Sequence, residues 1–297
     1  MIQFIQALFN GLTLGSIYAL IALGYTMVYG IAKMLNFAHG DIIMIGAYTV
    51  IAAGSTAFKH CLGLPGWAAI LISILLCSLL GVLVEFLAYR PLRKAAPLSV
   101  LITAIGVSYL LQNVAQLIFG TEQLAFPTLF TIPSLQIGQV QIEGATLLTL
   151  GVTAVIMVCL TLFINKTKIG KAMRAVSEDK DAAALMGISV NRTITVTFAI
   201  GSALAAVASV FFGSTYIYIR PTTGSMPGIK AFTAAVFGGI GSIPGAMLGG
   251  LLLGVIEKMA MTYISTLWSD AIVFGVLVLM LVVRPTGLLG KPIQEKV

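Results

Sequence analysis

The chain has 297 residues, 59% of them hydrophobic and only 9% charged, against about 25% charged residues in ordinary soluble domains. Seventeen Lys and Arg with ten Asp and Glu are too few to solvate so long a chain, which excludes a soluble globular protein and leaves lipid as the solvent for much of its surface. The net charge of +7 resides in short stretches between apolar runs, with no run of five cations, so it points to membrane orientation and not to nucleic acid.

A membrane helix needs about 20 mostly apolar residues to cross about 30 Å of hydrocarbon. Charge-free intervals of that kind occupy 1–32, 42–58, 60–84, 95–121, 144–165, 193–219 and 231–256, and a last run at 271–283 extends back through Asp270. Residues 1–32 lack the charged start of a cleaved signal and are too long for one, so they read as the first span. The runs are continuously apolar, as in Leu71-Ile72-Ser73-Ile74-Leu75-Leu76, and do not alternate as barrel strands would. Backbone groups in lipid must then be satisfied within helices. The expected fold is an all-α, polytopic transmembrane helical bundle with about 8–9 membrane segments.

Lys and Arg remain on the cytoplasmic side in short connections. Ten of them follow the first, third and fifth runs: Lys33; Arg90, Arg93 and Lys94; then Lys166, Lys168, Lys171, Arg174, Lys180 and Arg192. The alternate connections hold Lys59 alone, and 119–144 carries only Glu122 and Glu143. The N-terminus is therefore expected outside and the tail with Arg284, Lys291 and Lys296 inside. That requires an odd number of transits, about nine, and the sequence Gly238-Gly239-Ile240-Gly241-Ser242-Ile243-Pro244-Gly245 offers the break that would split one run into two pieces or a re-entrant loop. No linker or second soluble domain is visible, so residues 1–297 form one transmembrane domain with a cytoplasmic segment at 165–192.

Small residues at spacing four, Gly11 with Gly15, Gly241 with Gly245 and Gly249, and Gly250 with Gly254, are expected to bring helix backbones close together. The polar cluster Asn36-Phe37-Ala38-His39-Gly40-Asp41 lies between two apolar runs. It reads either as a polar site at membrane depth or as a loop in which Asn36 or Asp41 caps the next helix and His39 sits among headgroups. Glu85, five residues before Arg90, and Glu257, beside Lys258, read as interfacial acids near ion partners, with Asp270 of the same kind. In the cytoplasmic segment, Ser177-Glu178-Asp179-Lys180-Asp181-Ala182-Ala183-Ala184-Leu185-Met186-Gly187 reads as a short docking helix, with Ser177 as N-cap and Gly187 as the stop after it. Ala182, Ala183 and Gly187 would form a small-residue face for a protein groove.

Several chemistries lack their parts. No phosphate-binding glycine loop ending in Lys-Ser or Lys-Thr is present, since Gly170-Lys171 runs into Ala172. No metalloprotease, serine-hydrolase or paired-carboxylate signature occurs, so an enzyme, a metal site and a bound cofactor are not expected. Cys61, Cys77 and Cys159 have no metal-ligand spacing and form no disulfide framework.

Taken together, Phe9-Asn10-Gly11-Leu12-Thr13-Leu14-Gly15-Ser16, Leu35-Asn36-Phe37-Ala38-His39-Gly40, Tyr89-Arg90-Pro91-Leu92-Arg93, Ala231-Phe232-Thr233-Ala234-Ala235-Val236, the Gly238–Ala246 stretch and Arg284-Pro285-Thr286-Gly287 resemble one family nearly end to end: the membrane permeases of bacterial ABC importers for branched-chain amino acids, in particular the H-type permease of the leucine–isoleucine–valine system. The resemblance implies an inner-membrane subunit that pairs with a second permease, receives substrate from a periplasmic binding protein and is driven by two cytoplasmic ATPase subunits. It implies a coupling role for Asp181, Ala182, Ala183 and Gly187, which match the family's E-A-A-x-x-x-G signature with Asp for Glu, although the I-x-L-P that follows it is absent. Asn36, His39 and Asp41, with Gly238, Gly239, Gly241, Pro244 and Gly245, are then the expected walls of the translocation path. Permeases for urea and short amides look similar, so that substrate class stays open, as does a stand-alone channel or carrier; a lipid-modifying enzyme fits least.

Overall fold

The computed structural model describes residues 2–54, 63–93, 95–130, 133–137, 140–142 and 144–290. Lys59, Cys61, Lys94, Glu143, Lys291 and Lys296 lie outside them. The described chain is helical almost throughout: α1 (Ile2–Ala32), α2 (His39–Gly54), α3 (Gly66–Val84), α4 (Pro97–Phe119), α5 (Gly144–Lys166), α6 (Lys168–Glu178), α7 (Lys180–Leu185), α8 (Val190–Tyr216), α9 (Ser225–Gly238), α10 (Ile243–Tyr263) and α11 (Ser269–Val283). Six of these are long and apolar enough to cross a membrane: α1, α3 with its extension to Tyr89, α4, α5, α8 and α10. They fall on the charge-free runs, as the composition requires.

The ends follow from local chemistry. Pro97 occupies the first turn of α4, where its missing N–H costs nothing, and Gly120 stops that helix at a positive φ of 83°. α3 runs on through a π-helical turn, Glu85–Tyr89. The expected break in the 231–256 run is present. Gly239 and Gly241 take φ of 105° and 95°, and Ser242 caps α10 by accepting a hydrogen bond from the Gly245 N–H at 3.3 Å. The connections also hold short strands that the apolar pattern does not reveal: β1 (Leu124–Ala125) pairs antiparallel with β4 (Tyr218–Ile219), and β2 (Leu135–Ile137) with β3 (Val140–Ile142).

The chain divides into two compact units, each assembled from separate stretches. The first comprises residues 1–26, 132–161 and 230–297. In it α1 and α10 cross on the expected glycines: a Cβ on Gly254 would meet the Gly15 backbone, one on Gly250 the Ala19 backbone, and one on Gly11 the Val255 backbone. α10 meets α9 in the same way, with Gly249 against the Ala234 carbonyl. Such contacts hold helices together by dispersion and close backbone approach where lipid removes the hydrophobic drive. Thr13 and Thr146 add a buried hydroxyl pair between α1 and α5 at 2.7 Å.

The second unit comprises residues 27–131 and 162–229. Here α2, α3 and α8 pack through small residues, Gly46 against Ser209 and Gly81 against Ser202. Ser73 donates to the Gly46 carbonyl at 2.9 Å. The outer faces of α3 and α4 stay apolar and exposed, with Leu79 at 70% and Leu117 at 87%, which water would not tolerate over so large a surface and lipid does.

Two local expectations need correction. Ser177 is no N-cap: it lies in the last turn of α6, donating to the Arg174 carbonyl at 2.7 Å, while Asp179 caps α7. The acids Glu85 and Glu257 do not pair with their sequence neighbours. Glu85 is fully buried and bonds Arg93 and the Thr195 hydroxyl, the latter at 2.7 Å, whereas Arg90 stacks over the Phe86 ring. Glu257 is buried against Lys230, because adjacent residues on a helix point about 100° apart and Lys258 cannot follow it inward.

Candidate functional site

Three groups of residues hold the features singled out in the sequence. The first is the cluster at the start of α2. α1 ends at Ala32, and Lys33 turns the chain at a φ of 57°. Asn36, His39 and Asp41 are then all buried, at 1–3% exposure, so His39 is enclosed by protein, and neither Asn36 nor Asp41 is the residue just before α2. The Tyr89 hydroxyl donates to Asn36 Oδ1 at 2.8 Å. Gln112 of α4 donates to Asp41 Oδ1 at 2.9 Å and to Ser225 Oγ of α9 at 3.1 Å. Gly40 abuts Gly224 so closely that neither position admits a Cβ. The cluster therefore joins α2, α4 and α9, a convergence invisible in sequence because Gln112 is one of three amides, with Asn113 and Gln116, in a long apolar run.

The second is the elbow between α9 and α10. Gly238, Gly239 and Gly245 are buried, and Gly241 and Pro244 are exposed. The tail closes on it: Leu288 and Leu289 N–H donate to the Phe237 and Gly238 carbonyls at 3.0 and 2.9 Å, and Gly287, at a φ of 77°, lies against Gly239. The Arg284–Gly287 stretch is thus the turn that seats the tail on the elbow and satisfies its freed carbonyls. The elbow belongs to the first unit and the Asn36–Asp41 cluster to the second.

The third is the 165–192 segment. Thr167 caps α6. Asp179 accepts from the Asp181 and Ala182 N–H groups at 2.9 and 3.0 Å, and Gly187 ends α7 at a φ of 79°. Ile188 N–H reaches the Ala183 carbonyl and Gly187 N–H the Ala184 carbonyl, both at 3.0 Å, which is the Schellman arrangement. Of the expected small-residue face, Ala182 and Gly187 are exposed with Asp181, but Ala183 turns inward and is buried. The exposed apolar surface comes instead from Leu185 and Met186, at 89% and 82%. Their signal in the sequence is two large apolar residues directly before a helix-stopping glycine. Lys180 donates to the Ala32 carbonyl at 2.9 Å, tying α7 to the C-terminal end of α1; burial, then the nearby Arg93 and Lys33 charges, lower its pKa.

Sequence reasoning missed a buried ion cluster in the first unit. Lys230 of α9 donates to Glu257 of α10 at 2.8 Å and pairs with Asp270 of α11 at 2.6 Å, and the Tyr18 hydroxyl of α1 donates to Glu257 Oε2 at 3.0 Å. Four helices meet there around one ammonium.

Residues 7–281 match the family described as branched-chain amino acid transport system / permease component. The high-affinity branched-chain amino acid transport system permease protein LivH of Escherichia coli is 47% identical over 309 residues, covering 100% of this chain and 98% of its own. BraD of Pseudomonas aeruginosa, a permease protein of a high-affinity branched-chain amino acid transport system, is 48% identical over 304 residues, covering 99% and 98%. The E. coli permease protein LivM, named for the same transport system as LivH, is 28% identical over 304 residues, covering 93% of this chain and 68% of its own. With a family match over nearly the whole chain and relatives almost half identical from end to end, this multi-pass membrane protein belongs to the family of branched-chain amino acid transport permeases.

Proposed function

We propose that the chain is the permease subunit of an ATP-driven ABC importer for leucine, isoleucine and valine in a bacterial inner membrane. The observation that carries this reading is the end-to-end identity with LivH and BraD. The likeness to both LivH and LivM, which E. coli holds side by side, supports a second, related permease as partner, with the translocation path between the two. Two ATPase subunits and a periplasmic binding protein complete the importer. The chain does no covalent chemistry. ATP binding closes the ATPase pair, α7 passes the movement to the bundle, and the bundle alternates between outward- and inward-open forms with different affinity for the cargo. Asp181, Ala182, Ala183 and Gly187, joined by Leu185 and Met186, form the ATPase contact. Asn36, His39, Asp41 and the Gly238–Gly245 elbow, including Gly239, Gly241 and Pro244, line the path.

Nine transits in one permease domain, with the N-terminus outside and the tail inside, agree with two contacts. The β1–β4 pair ties the end of α8 to the cation-free connection after α4, and the tail lies on the elbow. α9 then runs from the outer end to the inner end as a short transit of its own. Cysteines at Phe130 and Ala175 are expected to label from opposite sides of the membrane; labelling from one side contradicts this topology.

In cells expressing the chain with its neighbouring transporter subunits, uptake of labelled leucine is expected to be competed by isoleucine and valine and not by urea. Urea uptake without leucine uptake would move the substrate to amides.

A further inference from the structure

Among the described residues three carboxylates are buried, and two of them have cations. Glu85 has Arg93 and Glu257 has Lys230. Asp41, at 1% exposure, has none among the described residues. Its side-chain hydrogen bonds come from neutral groups, the Ser108 hydroxyl and the Gln112 amide, the latter at 2.9 Å. Burying a carboxylate is costly unless it is paired. The N-terminus of α2 offers only about half a unit of positive charge, which leaves the group short of a full counter-charge.

The depth of the site follows from the packing of α2 on α3. Ser73 bonds the Gly46 carbonyl and Cys77 the Ile42 carbonyl, so the first turns of α2 lie beside the middle of a helix that continues to Tyr89. Asp41 therefore lies level with the middle of that apolar, span-length helix and not with its end. The neighbouring helix start is built to part from it. Gly40 and Gly224 meet as bare backbone, and the Gln112–Ser225 hydrogen bond at 3.1 Å is a polar tie between α4 and α9. Retreat of the α9 start breaks little and exposes Asp41 together with the Gln112 amide.

The geometry points to Asp41, oriented by Gln112, as the group that receives the α-ammonium of the transported amino acid when α9 withdraws. This rests on the importer reading above and adds to it a chemical requirement on the cargo: a cationic amine that supplies the charge the buried carboxylate lacks. A neutral cargo leaves that charge unmatched.

The test is equilibrium binding of labelled leucine to the purified complex of both permeases and the ATPases, without the binding protein. Leucinol, which keeps the ammonium and lacks the carboxylate, is expected to compete; 4-methylpentanoate, which keeps the carboxylate and lacks the ammonium, is not. Asp41→Asn is expected to weaken leucine binding about tenfold or more, since a hydrogen bond to a charged group is lost, and Asp41→Glu to recover much of it. Equal competition by the two analogues overturns the proposal, as does wild-type binding in Asp41→Asn or a wild-type complex that binds no leucine. If Asp41→Asn does not assemble, the analogue pair measured on the wild type decides alone. ATPase-dependent leucine uptake by the wild type holds the importer reading apart from any of these results.

Discussion

Replacing Lys230 with methionine is expected to destabilise the permease by about 3–5 kcal/mol, the usual cost of removing one partner from a buried ion pair. The ammonium holds Glu257 at 2.8 Å, and Glu257 is buried at 1% exposure with the Tyr18 hydroxyl as its other partner. Without Lys230 that carboxylate has no counter-charge in a low-dielectric interior. Asp270 contributes less, because its side chain is 45% exposed and exposed pairs are worth about 0–1 kcal/mol. Pairing Lys230→Met with Glu257→Gln removes both charges and should return most of the loss. Thermal melting of the detergent-purified protein checks this. Equal melting of Lys230→Met and wild type contradicts a structural role for the pair.

Replacing Gly187 with valine is expected to uncouple transport from ATP hydrolysis while leaving membrane insertion intact. The residue holds a φ of 79°, a left-handed conformation that costs a residue with a Cβ about 1–2 kcal/mol, more for a branched one. The strain falls on a six-residue helix with Leu185 and Met186 exposed at its end, so it shifts the docking surface and not the bundle. Asp181→Lys reverses the charge of an exposed first-turn acid and is expected to act in the same direction. The readout is leucine uptake measured against ATP hydrolysis in the same preparation. Unchanged uptake in both variants removes α7 from the ATPase contact.

Much of the bundle was legible because lipid imposes strict local rules. A long uncharged run such as 193–219 has little choice but to become a helix, and α8 covers all but its last three residues. Glycines at spacing four announced the α1–α10 crossing, since only bare backbones approach that closely. Gly187 was legible as a stop for the same steric reason, and the Gly238–Gly245 break for its two positive-φ positions. What stayed hidden depends on partners far along the chain. Lys230 reads as the end of an apolar run, and nothing nearby names Glu257 and Asp270 as its partners, 27 and 40 residues on. Because Lys230 closed that run, the first turns of α9 were missed. Asp179, not Ser177, caps α7 because α6 continues to Glu178, and a cap residue alone does not tell where the preceding helix ends. Asp41 was visible as a polar residue between apolar runs. That its partner is Gln112, 71 residues away, required the packing of α2 beside α4.

The most direct measurement is uptake of labelled leucine by cells carrying this chain with its neighbouring transporter subunits, comparing active ATPases with ATPases disabled for hydrolysis. An ATP-driven importer gives leucine accumulation that vanishes in the disabled set. Uptake that is indifferent to the ATPase contradicts the importer and returns the chain to the class of channels and carriers.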